Sequence, residues 1–161
     1  MDGIVTRIDD LYELRFERRL RHGIAEVWAA LTDPDELARW LAPPSRPLTS
    51  TGAYELRFGT TEDTARGEVT RVEAPTLLEY TWMSRDAAQG SVLRWELTAD
   101  GDGCRLVLTH VLPAPGCRPE LAAGWHAHLD ALASVLDGGS GDWPDGEWQR
   151  LRNEYATRIA G

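Results

Sequence analysis

The 161-residue chain has no lysine: all 17 of its basic residues are arginine. Arginine keeps its charge and presents a planar fork suited to carboxylates and phosphates. Here the arginines are scattered, so they mark no anion-binding cluster, and their exclusive use fits the codon bias of a GC-rich genome. The net charge of −9 leaves no concentrated basic surface, which argues against DNA or RNA as a partner. No apolar run reaches the roughly 20 residues of a membrane helix. The acidic opening MDGIVTRIDD lacks the apolar core of a signal peptide, so a cytoplasmic protein is expected. There are only two cysteines. A strand from Cys104 to about Leu112 spans roughly 26 Å, and the five residues back to Cys117 reach at most about 18 Å. The thiols are therefore expected to stay unpaired, as suits a reducing compartment. The sequence also lacks G-x-S-x-G, P-loop and G-x-G-x-x-G motifs. Asp100–Gly103 resembles half a calcium loop without its twelfth-position glutamate, and reads as a turn.

What is present is a single long helix after a run of strands. Pro119–Leu136 carries Leu121, Trp125, Leu129, Leu132 and Leu136 on one stripe. Pro119 suits a first helical turn, and Gly138-Gly139 suits a stop. A lone helix of this kind must bury its stripe against the sheet that the strands share. The fold class is therefore α+β: a curved antiparallel sheet of about six strands wrapped around the long C-terminal helix. The length suits one domain with a real core.

Residues 1–10 read as a loose lead-in. Leu11–Arg21 alternates as a strand with Leu14, Phe16 and Arg18 on one face. A short helix, Ile24–Leu31, follows Gly23. A second helix starts at Asp33, with Pro34 at its first position and Glu36 completing a capping box, and turns Leu37, Trp40 and Leu41 inward. Strands then read over Gly52–Gly59, Thr64–Glu73, Leu77–Ser84, Ser91–Ala99 and Cys104–Leu112, with Arg85–Gly90 as a polar loop and Asp100–Gly103 as a hairpin turn. Residues 140–161 read as a linker and a tail helix, roughly Asp145–Ile159, that either packs on the domain or makes a dimer contact.

The order of these motifs is distinctive. A strand precedes GIAEVWAALTDPDELARWLAPP; strands, RLVLTH and GWHAHLDALASVL follow. The chain resembles the SRPBCC (START-like, birch-pollen-allergen-like) helix-grip superfamily. Within it, the chain is similar to the bacterial family related to the activator of the heat-shock protein 90 ATPase. The matching residues are Val27-Trp28, Leu31-Thr32, Asp33-Pro34, Leu37, Trp40, Leu106, Leu108, Thr109, His110, Gly124-Trp125, Leu129 and Leu132, so the resemblance covers about residues 11–139. It implies a cavity between sheet and long helix that takes apolar or amphipathic ligands. It implies no shared catalytic residues and no cofactor.

Trp40, Tyr54, Phe58, Tyr80, Trp82, Trp95, Trp125 and Leu129 converge on that interior by alternation and helical phase. His110 continues the inward stripe of Leu106 and Leu108 as a polar anchor, or as a histidine satisfied within the core. Arg71 shares the phase of Val69 and is expected to point inward, toward a carboxylate partner or an anionic ligand. His126 and His128 lie about 200° apart on a helix and cannot share one metal; no metal site is expected, and His126 with Asp130 reads as a surface pair. Three functions are compatible with this pattern. The first is binding of a small hydrophobic or aromatic ligand. The second is protein interaction with a chaperone or a second copy. The third is a polyketide cyclase or aromatase-like activity using His110, Arg71 and Tyr80.

Overall fold

The computed structural model describes residues 3–58, 64–84, 91–113 and 119–160. Seven strands form one curved, open antiparallel sheet. In chain order they are β1 (Ile4–Ile8), β2 (Leu11–Leu20), β3 (Gly52–Arg57), β4 (Thr64–Glu73), β5 (Leu77–Trp82), β6 (Ser91–Asp100) and β7 (Gly103–Pro113). Their order across the sheet is β1-β2-β7-β6-β5-β4-β3. The described residues also form four helices: α1 (Ile24–Thr32), α2 (Pro34–Trp40), α3 (Pro119–Leu136) and α4 (Glu147–Ala160). The α+β, helix-grip architecture is as the sequence predicts, with one strand more.

That extra strand is β1. The expected loose lead-in instead pairs with β2 from Ile4↔Arg15 to Ile8↔Leu11. The β-branched run IVTRI before Asp9-Asp10 carries the signal, and Asp9 turns the chain at φ 55°.

Alternation places one row of side chains across the concave face. Tyr80 pairs with Leu93, Leu93 with His110, and His110 with Leu14. The next row runs Leu78, Trp95, Leu108, Phe16. All eight are buried. α3 crosses this face and buries Leu121, Trp125, Leu129 and Leu132. Its opposite side is also buried, at Ala123, His126, Ala127 and Ala131, because α4 packs there. Leu151 and Tyr155 of α4 are each 1% exposed. The tail helix is thus part of the core.

Two local details follow the sequence closely. Asp33 accepts the Glu36 backbone N–H at 3.2 Å, with Pro34 at the first position of α2. The expected return bond of the capping box is replaced, since the Asp33 N–H donates to the Ala29 carbonyl and the Glu36 carboxylate binds Arg39. Cys104 is a buried free thiol; Cys117 and the Arg85–Gly90 loop lie outside the described residues.

Candidate functional site

The interior between the concave face and α3 is built from aromatic rings. β5 supplies Tyr80 and Trp82, β6 Trp95, β7 His110, β3 Tyr54, the residue just after β3 Phe58, α2 Trp40, and α3 Trp125 and His128. Phe58, Trp82, Trp125 and His128 close a circuit, with centroid separations of 6.2, 5.1, 6.2 and 5.9 Å around it. Trp95 meets Trp125 at 5.8 Å and Trp40 at 5.9 Å. Tyr54 meets Tyr80 at 5.0 Å. His110 lies 6.2 Å from both Trp82 and Trp125, behind the circuit. Edge-to-face and tilted pairs at these separations are attractive through the ring quadrupoles.

The polar handles of these rings are mostly satisfied, by backbone carbonyls, by Ser84 or by one another. Trp40 Nε1 donates to the Ala30 carbonyl at 2.8 Å, Trp95 Nε1 to the Tyr80 hydroxyl at 2.8 Å, and Trp82 Nε1 to Ser84 Oγ at 3.0 Å. The Tyr54 hydroxyl donates to the Thr81 carbonyl at 2.6 Å. Burial pushes the hydroxyl pKa of both tyrosines upward, so they remain donors.

His110 is the exception. The Trp125 indole N–H, which can only donate, meets His110 Nδ1 at 3.1 Å. Nδ1 must therefore accept, and the neutral ring carries its proton on Nε2. That Nε2–H is buried and has no hydrogen-bond partner among the described residues. Burial pulls the His110 pKa down to about 3. At pH 7 the ring is therefore neutral. Such a histidine donates a hydrogen bond well but is poorly matched to general acid–base work, which favours a pKa near the operating pH.

His128 is the residue that the sequence reading missed. It was one half of an H-x-H; instead its Nδ1–H donates to the Trp40 carbonyl at 3.0 Å, and its half-buried ring meets Phe58, Trp125 and, at 4.9 Å, Trp143. Burial lowers its pKa to about 4 against the opposing pull of the Trp40 carbonyl. The available signal was the i, i+3 spacing from Trp125, which puts both rings on one helix face. His126 points the other way, as the 200° separation predicts, and meets the Tyr155 hydroxyl at 2.9 Å. It does approach Asp130, at 3.5 Å, but it is 6% exposed, so the expected surface pair is half buried beneath α4.

Arg71 is a correction. Its side chain is exposed and paired with Glu73. The strict alternation that linked it to Val69 fails because β4 bulges between the two: Val69 pairs with Tyr80, but Arg71 with Glu79. The other expected site residues, Trp40, Tyr54, Phe58, Tyr80, Trp82, Trp95, His110, Trp125 and Leu129, all face the interior; Phe58 is partly buried and the rest are buried.

A slit opens beside the cluster. Below Val69 the β4–β5 ladder thins to the single bridge Arg66↔Met83. The Glu68 N–H turns to Thr81 Oγ1 at 2.9 Å, and the Thr81 carbonyl is held by Tyr54. The resulting groove, about 420 Å³, reaches Tyr54 and Trp82 between Glu55, Arg66 and Glu68. Gly67 is needed there, since a Cβ would lie 2.2 Å from the Thr81 carbonyl oxygen.

Comparison with known proteins agrees with this architecture. Residues 21–137 match the family described as Activator of Hsp90 ATPase homolog 1-like protein. No curated protein matches. Among solved structures, the protein encoded by gene BPP1335 of Bordetella parapertussis is 34% identical, with a TM-score of 0.73 over 98% of this chain and 91% of that one. CalU16 from Micromonospora echinospora is 26% identical, with a TM-score of 0.78 over 99% and 95%. DynU16, from the dynemicin biosynthetic locus, is 27% identical with a TM-score of 0.73; the match covers 86% of this chain but only 51% of that one. The chain belongs to the Activator of Hsp90 ATPase homolog 1-like family, on the helix-grip fold.

Proposed function

We propose that the chain is a cytoplasmic binding protein for a small hydrophobic or aromatic molecule, held between the concave sheet face and α3, and that it performs no catalysis on it. The observation that carries this reading is His110: a buried N–H donor with no acceptor among the described residues, set behind a circuit of rings. Binding sites commonly combine an apolar wall with one such polar group. The likeness to a protein from a biosynthetic locus favours a small-molecule role over a macromolecular one. A cyclase-like activity is less well supported, because Arg71 faces solvent and His110 is held neutral by burial. Quenching of tryptophan fluorescence across a library of lipids and aromatics tests the reading; saturable quenching that weakens in His110→Leu is the expected result, and no saturable ligand in the library rejects it.

A second reading, self-association, is favoured by one observation. Ile4 and Ile8 of the edge strand β1, with Leu11 beside them, are 57%, 50% and 42% exposed. An unpaired edge with exposed apolar side chains invites another strand. Light-scattering mass across a concentration series checks it, with Ile8→Lys as the dissociating variant.

A further inference from the structure

The polar content of the ring cluster restricts what it can hold. Among the described residues, no ring partner or hydrogen-bond partner of Trp40, Tyr80, Trp82, Trp95, His110 or Trp125 is a charged side chain. Arg71, the arginine expected to meet an anionic ligand, is turned out by the β4 bulge, and the buried Arg18 lies by Phe16 and Asp130 instead. The donor left over is neutral. Protonating His110 a second time would set an Nδ1–H against the Trp125 N–H at 3.1 Å, two donors with no acceptor between them. A buried carboxylate held there would meet no compensating positive charge, and a buried ammonium would meet a donor instead of an acceptor. A fatty-acid-like or amine ligand is therefore disfavoured on both counts. An uncharged acceptor fits, and flat rings are the natural complement of walls that already pack edge-to-face.

We infer that His110 determines specificity: its Nε2–H donates to the carbonyl-type oxygen of an uncharged aromatic ligand lodged between the sheet and α3. This rests on the binding reading above and narrows it to one chemical class. Trp125 acts as a positioning residue, since its indole N–H fixes which nitrogen of His110 carries the proton.

Three tricyclic probes of similar shape separate the possibilities. Fluorene has no acceptor, 9-fluorenone adds a carbonyl, and fluorene-9-carboxylate adds a charge. Affinities are read from tryptophan quenching at pH 7, and the bound site from the ¹⁵N resonance of His110 Nε2. The expected result is that 9-fluorenone binds about ten-fold tighter than either companion, as one buried hydrogen bond allows, and shifts the Nε2 resonance. In His110→Leu that advantage vanishes while fluorene binding persists; in His110→Gln, which keeps an N–H donor, part of it returns. Equal binding of fluorene and 9-fluorenone, or a preference for the carboxylate, overturns the inference and leaves the binding reading standing. Failure of all three to bind overturns the inference, while the binding reading stands or falls on the lipid and aromatic library. The wild-type comparison decides the matter even should a variant not fold.

Discussion

His110 is served on one side only, and this has a consequence for stability. Its folded pKa, about 3, lies below the ordinary histidine value near 6.5. The unfolded chain therefore binds more protons between those two values, and stability rises with pH across that window. As pH falls from about 6.5 toward 3, the contribution is lost; His128, lowered to about 4, adds in the same direction. His22 acts oppositely. Asp137, at 2.7 Å, raises its pKa, so its contribution is full at low pH and fades as pH rises through the raised value. Urea midpoints from pH 4 to 8 should climb steeply over the acid half, and less steeply in His110→Leu. Gly67→Ala should cost roughly 1–3 kcal/mol in the same assay, because a methyl group cannot share space with the Thr81 carbonyl. Arg71→Ala should leave ligand affinity unchanged, since its guanidinium faces water. At this scale the sequence was legible wherever period-two alternation runs unbroken, as along β7 to His110. It misled at Arg71, because a bulge adds a residue without a marker in composition. It was silent on His110's orphan proton, which depends on a tryptophan 15 residues away.

At the scale of elements, α3 was readable from one stripe but is gripped on both sides. Its alanines and His126 form a second, small-residue face that a search for large apolar residues does not notice. α4 fills it with Leu151 and Tyr155, and the Tyr155 hydroxyl accepts the Gly3 N–H at 2.8 Å, pinning the start of the chain beside β1. Arg152 adds an ion pair to Glu120 at 2.9 Å. Tyr155→Phe should lower stability by roughly 1–3 kcal/mol, because it strips partners from buried groups of both Gly3 and His126. Deleting residues 142–161 should do worse and expose the alanine face to solvent, with binding of an apolar dye as the readout. A truncated chain as stable as the full one would show that α4 is an appendage. β1 escaped notice for a different reason: it is short, and four of its five side chains stay exposed, so its pattern is faint.

For the molecule as a whole, the order and type of elements from β2 to α3 were legible, because each is marked by its own period and caps. The docking of α4 beside α3, against both that helix and the β1–β2 end of the sheet, was not, since no local signal says where an amphipathic tail will dock. The net charge of −9 means that the folded state repels itself. Raising the salt from about 10 to 150 mM shortens the screening length from roughly 30 to 8 Å and should lift the melting temperature by roughly 1–4 °C. A fall would show that the surface ion pairs outweigh the repulsion. The indole chain from Trp40 through Trp95 and Trp125 to Trp82, with steps of 5.1–5.9 Å, also has an optical meaning. Indoles so near one another pass excitation energy between them, so the emission of the four is expected to be coupled. A guest that quenches any one of them should therefore dim its neighbours as well.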